Sequence, residues 1–300
     1  FPLSRSMRVV VGLSVVATLA FALGAPLSRV ALPVTAAEVT FWRLALATGV
    51  VLGIALVAGR PAGYLWDWRT FGLGGVLFLH FFLFTLAAQT TTTAHTLTLV
   101  YISPVLVALG SAVVLHEPPR LIQIFGVVVA VIGVSILVGF EPTATDATVS
   151  GGVAALGSGT LFAVYVLAGR YLRRSIPLTS YVLAVYGWAA VWAFPFAVLS
   201  FDPAAYDGIR VLVIVVLGIV PLGVGHTLLN AAVRRANATV PNVITTQEVT
   251  GGMILSFLIH GETLGANGFL GVGVAILGVV LVVAFARNSG ASSTTDGIER

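Results

Sequence analysis

The sequence predicts an all-α integral membrane protein with ten transmembrane helices in two inverted five-helix repeats and both termini cytoplasmic. Three observations predict it. The 300 residues carry 15 Lys+Arg and 11 Asp+Glu, so 9% are charged while 58% are hydrophobic, and the mean hydropathy is +1.05. A soluble domain is about 25% charged, so water is not the main solvent of this chain. Long uncharged runs alternate with short stretches of Pro, Gly and Arg. Because one spanning helix needs roughly 20 apolar residues, ten of them leave only short loops and no soluble catalytic domain. Finally, the second half repeats the first at a fixed offset of 145 residues, from Gly12 and Gly157 onward.

Taking the punctuating residues as helix ends places the first five spans at about 9–31, 35–58, 70–89, 93–115 and 120–139, together forming a repeat over 1–140. Arg5 and Arg8 precede the first span, but its apolar run is longer than that of a secretory leader and no cleavage site ends it. The second begins beyond Pro33 and ends at Arg60, the third follows Arg69, and the fourth ends at His116-Glu117-Pro118-Pro119. The fifth has almost no polar side chains beyond Gln123 and Ser135. A short acidic linker, 141–150, leads to the second repeat over 151–286, with spans at about 151–171, 178–200, 211–231, 237–259 and 266–286. Residues 287–300 form a cytoplasmic tail.

Orientation follows from the arginines, which supply every basic residue. With a cytoplasmic N-terminus, Arg5, Arg8, Arg60, Arg69, Arg120, Arg170, Arg173, Arg174, Arg234, Arg235, Arg287 and Arg300 lie inside and only Arg29 and Arg210 outside, as the positive-inside rule requires. The offset of 145 also brings Gly24 onto Gly169, Glu117 onto Glu262, Gly126 onto Gly271, Ala130 onto Ala275 and Gly133 onto Gly278. Five spans is an odd number, so the second repeat enters the membrane in the opposite sense. Glu117 then lies inside and Glu262 outside, the inverted architecture of many secondary transporters.

The run Tyr101-Ile102-Ser103-Pro104 through His116-Glu117-Pro118-Pro119, with Gly126 and Gly133, resembles the end of the first repeat in EamA-type members of the drug/metabolite transporter superfamily. Glu248 through Gly261-Glu262-Thr263-Leu264, with Gly271 and Gly278, resembles the end of the second. Where second repeats of the family often carry Glu-Pro, this chain has Glu248-Val249. The resemblance implies ten helices, two inverted halves, and export or exchange of small metabolites in a multi-pass protein of a prokaryotic plasma membrane. The aromatic and histidine content of the interior is similar to that of YddG-like exporters of aromatic amino acids.

Ionisable groups at membrane depth are costly and usually face a cavity or a partner, which makes them candidate site residues. Glu248 lies near the middle of the ninth span, shares a face with Thr245 and Gly252, and is suited to bind a substrate amine or take up a proton. His80 lies near the middle of the third span with Phe84 one turn on, and His226 of the eighth shares a face with Asn230. The offset carries His226 onto Phe81, so the two histidines are not a symmetric pair. Tyr101 and Tyr165 are candidate stacking surfaces for substrate, with Phe162 and Trp188 behind them. Arg43, inside the second span, is read as snorkelling outward to a structural ion pair with Glu38, in preference to anion binding. Gly126, Gly133, Gly271 and Gly278 are read as close-packing positions, because small residues let helix backbones approach in lipid.

Other chemistries are poorly served. Cysteine is absent, His116-Glu117 lacks the second histidine of a zincin box, and there is no Walker loop, so no metal or cofactor is expected. The only basic doublets are Arg173-Arg174 and Arg234-Arg235, which argues against nucleic acid. No obligatory protein partner is inferred. The expected partners are the lipid bilayer and a small amphipathic substrate, an aromatic amino acid above all. Export of cationic drugs is the alternative within the superfamily, and an integral membrane enzyme or a non-transporting scaffold the alternative outside it.

Overall fold

The computed structural model describes residues 4–57, 59, 67–138, 146–172, 175–262 and 267–285. These fold into helices α1 (Arg5–Phe21), α2 (Gly24–Val30), α3 (Ala36–Val57), α4 (Trp68–Thr90), α5 (Thr93–Val100), α6 (Ser103–Val113) and α7 (Leu121–Val138). The second half contributes α8 (Asp146–Tyr171), α9 (Leu178–Leu199), α10 (Gly208–Leu217), α11 (Thr227–Val233), α12 (Thr239–Thr245), α13 (Glu248–His260) and α14 (Asn267–Ala284). A π-helical stretch, Gly218–His226, joins α10 to α11. Pro221 lies inside it and has no N–H to donate, and the wider π register accommodates that missing bond.

Among the described residues seven helical segments are long and apolar enough to cross a membrane, and Leu121–Ile136 and Gly273–Ala284 are shorter apolar helices. Several expected spans are discontinuous. The first is α1 and α2, the fourth α5 and α6, the ninth α12 and α13. The expected linker also shrinks, because α8 begins at Asp146; the rest of it, like the cytoplasmic tail, lies outside the described residues.

Short loops are held by side-chain caps. Asp67 accepts from the Arg69 amide, Thr92 from that of His95, and Asp207 from that of Arg210, each satisfying an otherwise unpaired donor at a helix start. The Arg69 guanidinium, bonded at 2.6 Å, also holds the Asp67 carboxyl below the usual carboxylate range.

α4 packs along α8 and α9, and α3 along α9. At the periphery α7 and α14 lie against each other. They run antiparallel: a Cβ on Gly126 would meet Gly278 O and Val282, while one on Gly133 would meet Ala275 and Gly271 O. Gly126, Ala130 and Gly133 thus face Gly271, Ala275 and Gly278 backbone to backbone.

Candidate functional site

Two helical breaks build the site. α6 begins at Ser103 and α13 at Glu248, positions 145 residues apart. Non-helical backbone at membrane depth is tolerated only where it is buried in protein or lines a cavity, and these breaks meet one another. The Tyr101 hydroxyl lies 2.6 Å from Thr245 O and 2.5 Å from Glu248 Oε2, and donates its single proton between them. Glu248 occupies the first turn of α13, where the helix dipole favours an anion.

Around this junction lies a cavity of about 30 Å³. That is room for a water or two and not for an amino acid. α1 and α2 contribute Phe21 and Gly24, α3 contributes Arg43, and α4 contributes His80, Phe81 and Phe84. Val100, Tyr101, Phe162, Pro221, His226 and Glu248 complete it. The lining is mostly rings. His80 stacks on Phe162 at 5.1 Å between centroids, and the two imidazoles lie 6.0 Å apart, with His226 also 4.8 Å from Phe81 and 4.6 Å from Phe21. A Cβ on Gly225 would meet the Phe21 ring at 2.7 Å, so only glycine lets that ring reach His226. His80 Nδ1 is fixed by Ser158, 3.0 Å from its carbonyl and 2.9 Å from its hydroxyl.

The sequence-derived candidates divide accordingly. His80, Phe84, Tyr101, His226 and Glu248 line the cavity. Tyr165 and Asn230 stand one layer behind: Asn230 Nδ2 donates to the Tyr165 hydroxyl at 2.5 Å and to His226 O at 2.8 Å, holding the turn that carries His226. Thr245 does not present its hydroxyl to the cavity, donating it to Asn242 O at 2.7 Å; its carbonyl serves Tyr101 instead. Trp188 packs edge-on to Phe71, away from the junction.

Arg43 and Glu38 part company. Glu38 accepts from Thr35 Oγ1 at 2.7 Å and from the Tyr206 hydroxyl at 2.9 Å. Partial burial and that bond push the Tyr206 phenol up to about 12. Arg43 is 1% exposed and does not snorkel. Its guanidinium carbon lies 4.8 Å from the Phe81 ring centroid, a cation–π contact worth about 2 kcal/mol when desolvated. Sequence reasoning also missed Phe21 and Pro221, since neither residue type signals a cavity in an apolar helix.

Beyond each end of the junction an ion pair ties the two halves of the chain together. Arg170 of α8 grips Glu117 with two bonds, 3.1 and 2.6 Å, and adds bonds to Val233 O and Arg234 O. Glu262, just past α13, pairs with Arg29 of α2. Among the described residues no cluster of His, Cys, Asp or Glu is placed to hold a metal ion.

Comparison with known proteins identifies the architecture. The model of the EamA-like transporter family matches twice, at residues 9–139 and 149–284. The aromatic amino acid exporter YddG of Ancylobacter novellus is 26% identical over 208 residues, 67% of this chain and 69% of that protein. One solved crystal structure superposes with a TM-score of 0.78 over 93% of this chain and 98% of its own, at 22% identity, which speaks to fold alone. With the family model covering both halves, the chain belongs to the EamA-like transporter family: it is a multi-pass membrane transporter and not an enzyme.

Proposed function

We propose that the protein is a secondary transporter that exports aromatic amino acids by alternating access between two inverted five-helix halves. The observation that carries this reading is the ring-lined cavity at the meeting point of the two broken helices, with one carboxylate at the start of α13. Discontinuous helices at a repeat interface are where transporters of this kind bind substrate. The name of the Ancylobacter relative supports the substrate class. Sugar phosphates would call for several permanently charged basic groups, and Arg43 is the one arginine lining the cavity, which has no lysine.

Ten spans, cytoplasmic termini and an inverted second half are part of the same proposal. Two family matches, two breaks 145 residues apart and the antiparallel α7–α14 pair support it. On this reading Glu117–Arg170 closes the inner face and Arg29–Glu262 the outer, both are formed here, and the cavity is too small for substrate: the conformation is occluded. The setting is a prokaryotic plasma membrane.

Competition for uptake into proteoliposomes tests the substrate class. Aromatic amino acids are expected to compete better than sugar phosphates or cationic drugs, and the reverse ranking removes the aromatic reading while leaving the transporter class. Topology is tested with single cysteines at Pro118 and Thr263 of this cysteine-free chain. They are expected to label from opposite faces of sealed vesicles, and labelling from one face sinks the inversion.

A further inference from the structure

Arg43 presents an unresolved charge. It is buried, its Nε has no hydrogen-bond partner, and its one polar contact is a long 3.4 Å bond from Nη1 to Thr85 Oγ1. Its nearest sequence candidate, Glu38, is committed elsewhere. Among the described residues no carboxylate forms an ion pair with it. A guanidinium offers five donors in a planar fork and keeps its charge at any physiological pH. A buried cation with no carboxylate bonded to it is costly, and such groups in membrane proteins mark ligand paths.

The same cavity contains one carboxylate. Glu248 is 8% exposed, accepts the Tyr101 proton through Oε2, and turns Oε1 toward Gly24, 3.8 Å from where a Cβ would stand. The rings of Phe81, Phe84 and Phe162 line the same cavity, and the first two lie under the Arg43 guanidinium. One cation, one anion and an aromatic wall match a molecule with the opposite pattern.

We propose that Arg43 and Glu248 are the two poles of an α-amino-acid site, with Arg43 holding the substrate carboxylate through its fork and Glu248 holding the ammonium. This rests on the aromatic amino-acid reading above and deepens it by assigning each charge of the substrate. A carboxylate suits a single guanidinium because two parallel N–H···O bonds saturate it. The backbone charges then sit toward the α2–α3 and α13 side of the cavity and the aromatic side chain among the rings, so recognition combines a zwitterion test with a shape test. The binding-competent state is more open than the one described; here Arg43 lies over the rings of Phe81 and Phe84 and bonds to Thr85.

The test uses the full chain in proteoliposomes with three probes that share one ring: phenylalanine, phenethylamine without the carboxylate, and phenylpropionate without the ammonium. In wild type each truncated probe is expected to compete at least about tenfold less well than phenylalanine, because a site built to bond a group rejects the analogue that lacks it. Arg43→Gln is expected to erase phenylalanine's advantage over phenethylamine and to keep that over phenylpropionate. Glu248→Gln is expected to do the opposite, and Arg43→Lys to restore part of the first preference. Thermal-shift binding of the same probes to purified protein provides a readout independent of turnover. Retention of phenylalanine's advantage over phenethylamine in Arg43→Gln overturns the assignment while leaving the aromatic reading standing. Equal loss of all probes in both variants also overturns it, since a merely structural role predicts that pattern. A wild type that ignores phenylalanine and every other aromatic amino acid overturns the parent reading and this inference together.

Discussion

The junction of α5/α6 with α12/α13 and the pair α7/α14 are built from the same repeat, yet one is broken and polar and the other is continuous and bare. In α7 and α14 small residues recur on one face, so the backbones touch and every amide remains in its own helix. At the junction Pro104 enters the first turn of α6, Glu248 starts α13, and the hydroxyl of Tyr101 serves a carbonyl that the break leaves without a helical donor. The periphery gains rigidity by leaving no space. The centre gives up helical bonds to hold a carboxylate and a cavity where two halves meet.

The strongest way to break this contrast is to add volume where the backbones touch. In Gly278→Leu the new side chain would meet the Ala130 backbone and Gly126 O, which cannot rotate away. The variant is expected to lose about 3 kcal/mol or more, read as a large fall in thermal midpoint in detergent. Gly273→Leu is the matched control on the same helix, since a Cβ there meets nothing within 4 Å, and its midpoint is expected to stay near wild type. Equal effects of the two would mean that helix propensity, not backbone contact, sets the glycine requirement.

This contrast also marks how far the sequence could be read. Helical segments and the glycine faces were legible, because apolar runs, charged ends and a repeated Gly-x3-Ala-x2-Gly leave a pattern that survives without any knowledge of contacts. Glu248 and His80 were legible because a titratable group stands out in an apolar helix. Breaks were not: the Thr246–Gln247 interruption follows from tertiary partners, as the bond from Tyr101 shows. The Glu38–Arg43 pairing failed for a geometric reason. Five residues at about 100° each turn the helix by about 140° beyond a full circle, so the two side chains leave on different faces, one toward Tyr206 and the other toward the cavity. Tyr165 and Asn230 stood out as polar groups, but only the bond between them shows that they support His226 from behind.

Charge at the junction is the next point of attack. Glu248→Gln preserves shape and leaves an oxygen to accept from Tyr101, but it removes titration. Folding and membrane insertion are expected to be retained, while transport falls about tenfold or loses its pH dependence, since exchanging a charge-assisted bond for a neutral one costs about 1.4 kcal/mol. Wild-type rates with an unchanged pH profile would reduce the carboxylate to a buried hydrogen-bonding group.

The smallest expected effect tests whether the two breaks are joined at all. Tyr101→Phe keeps the ring in the cavity wall and deletes only the hydroxyl that lies between Thr245 O and Glu248 Oε2. A buried bond to a charged acceptor is worth about 1.5–3 kcal/mol and a neutral one about 1 kcal/mol, so the thermal midpoint should drop measurably but by less than in Gly278→Leu. Combining Tyr101→Phe with Glu248→Leu, which unlike the Gln variant leaves no oxygen to accept from Tyr101, separates the two acceptors. If the hydroxyl serves the carboxylate, the double variant should be less destabilised than the sum of the single ones, with a coupling of about 1 kcal/mol. Strict additivity would assign the hydroxyl to the Thr245 carbonyl alone, and the carboxylate at the start of α13 would then have no link to the opposite half.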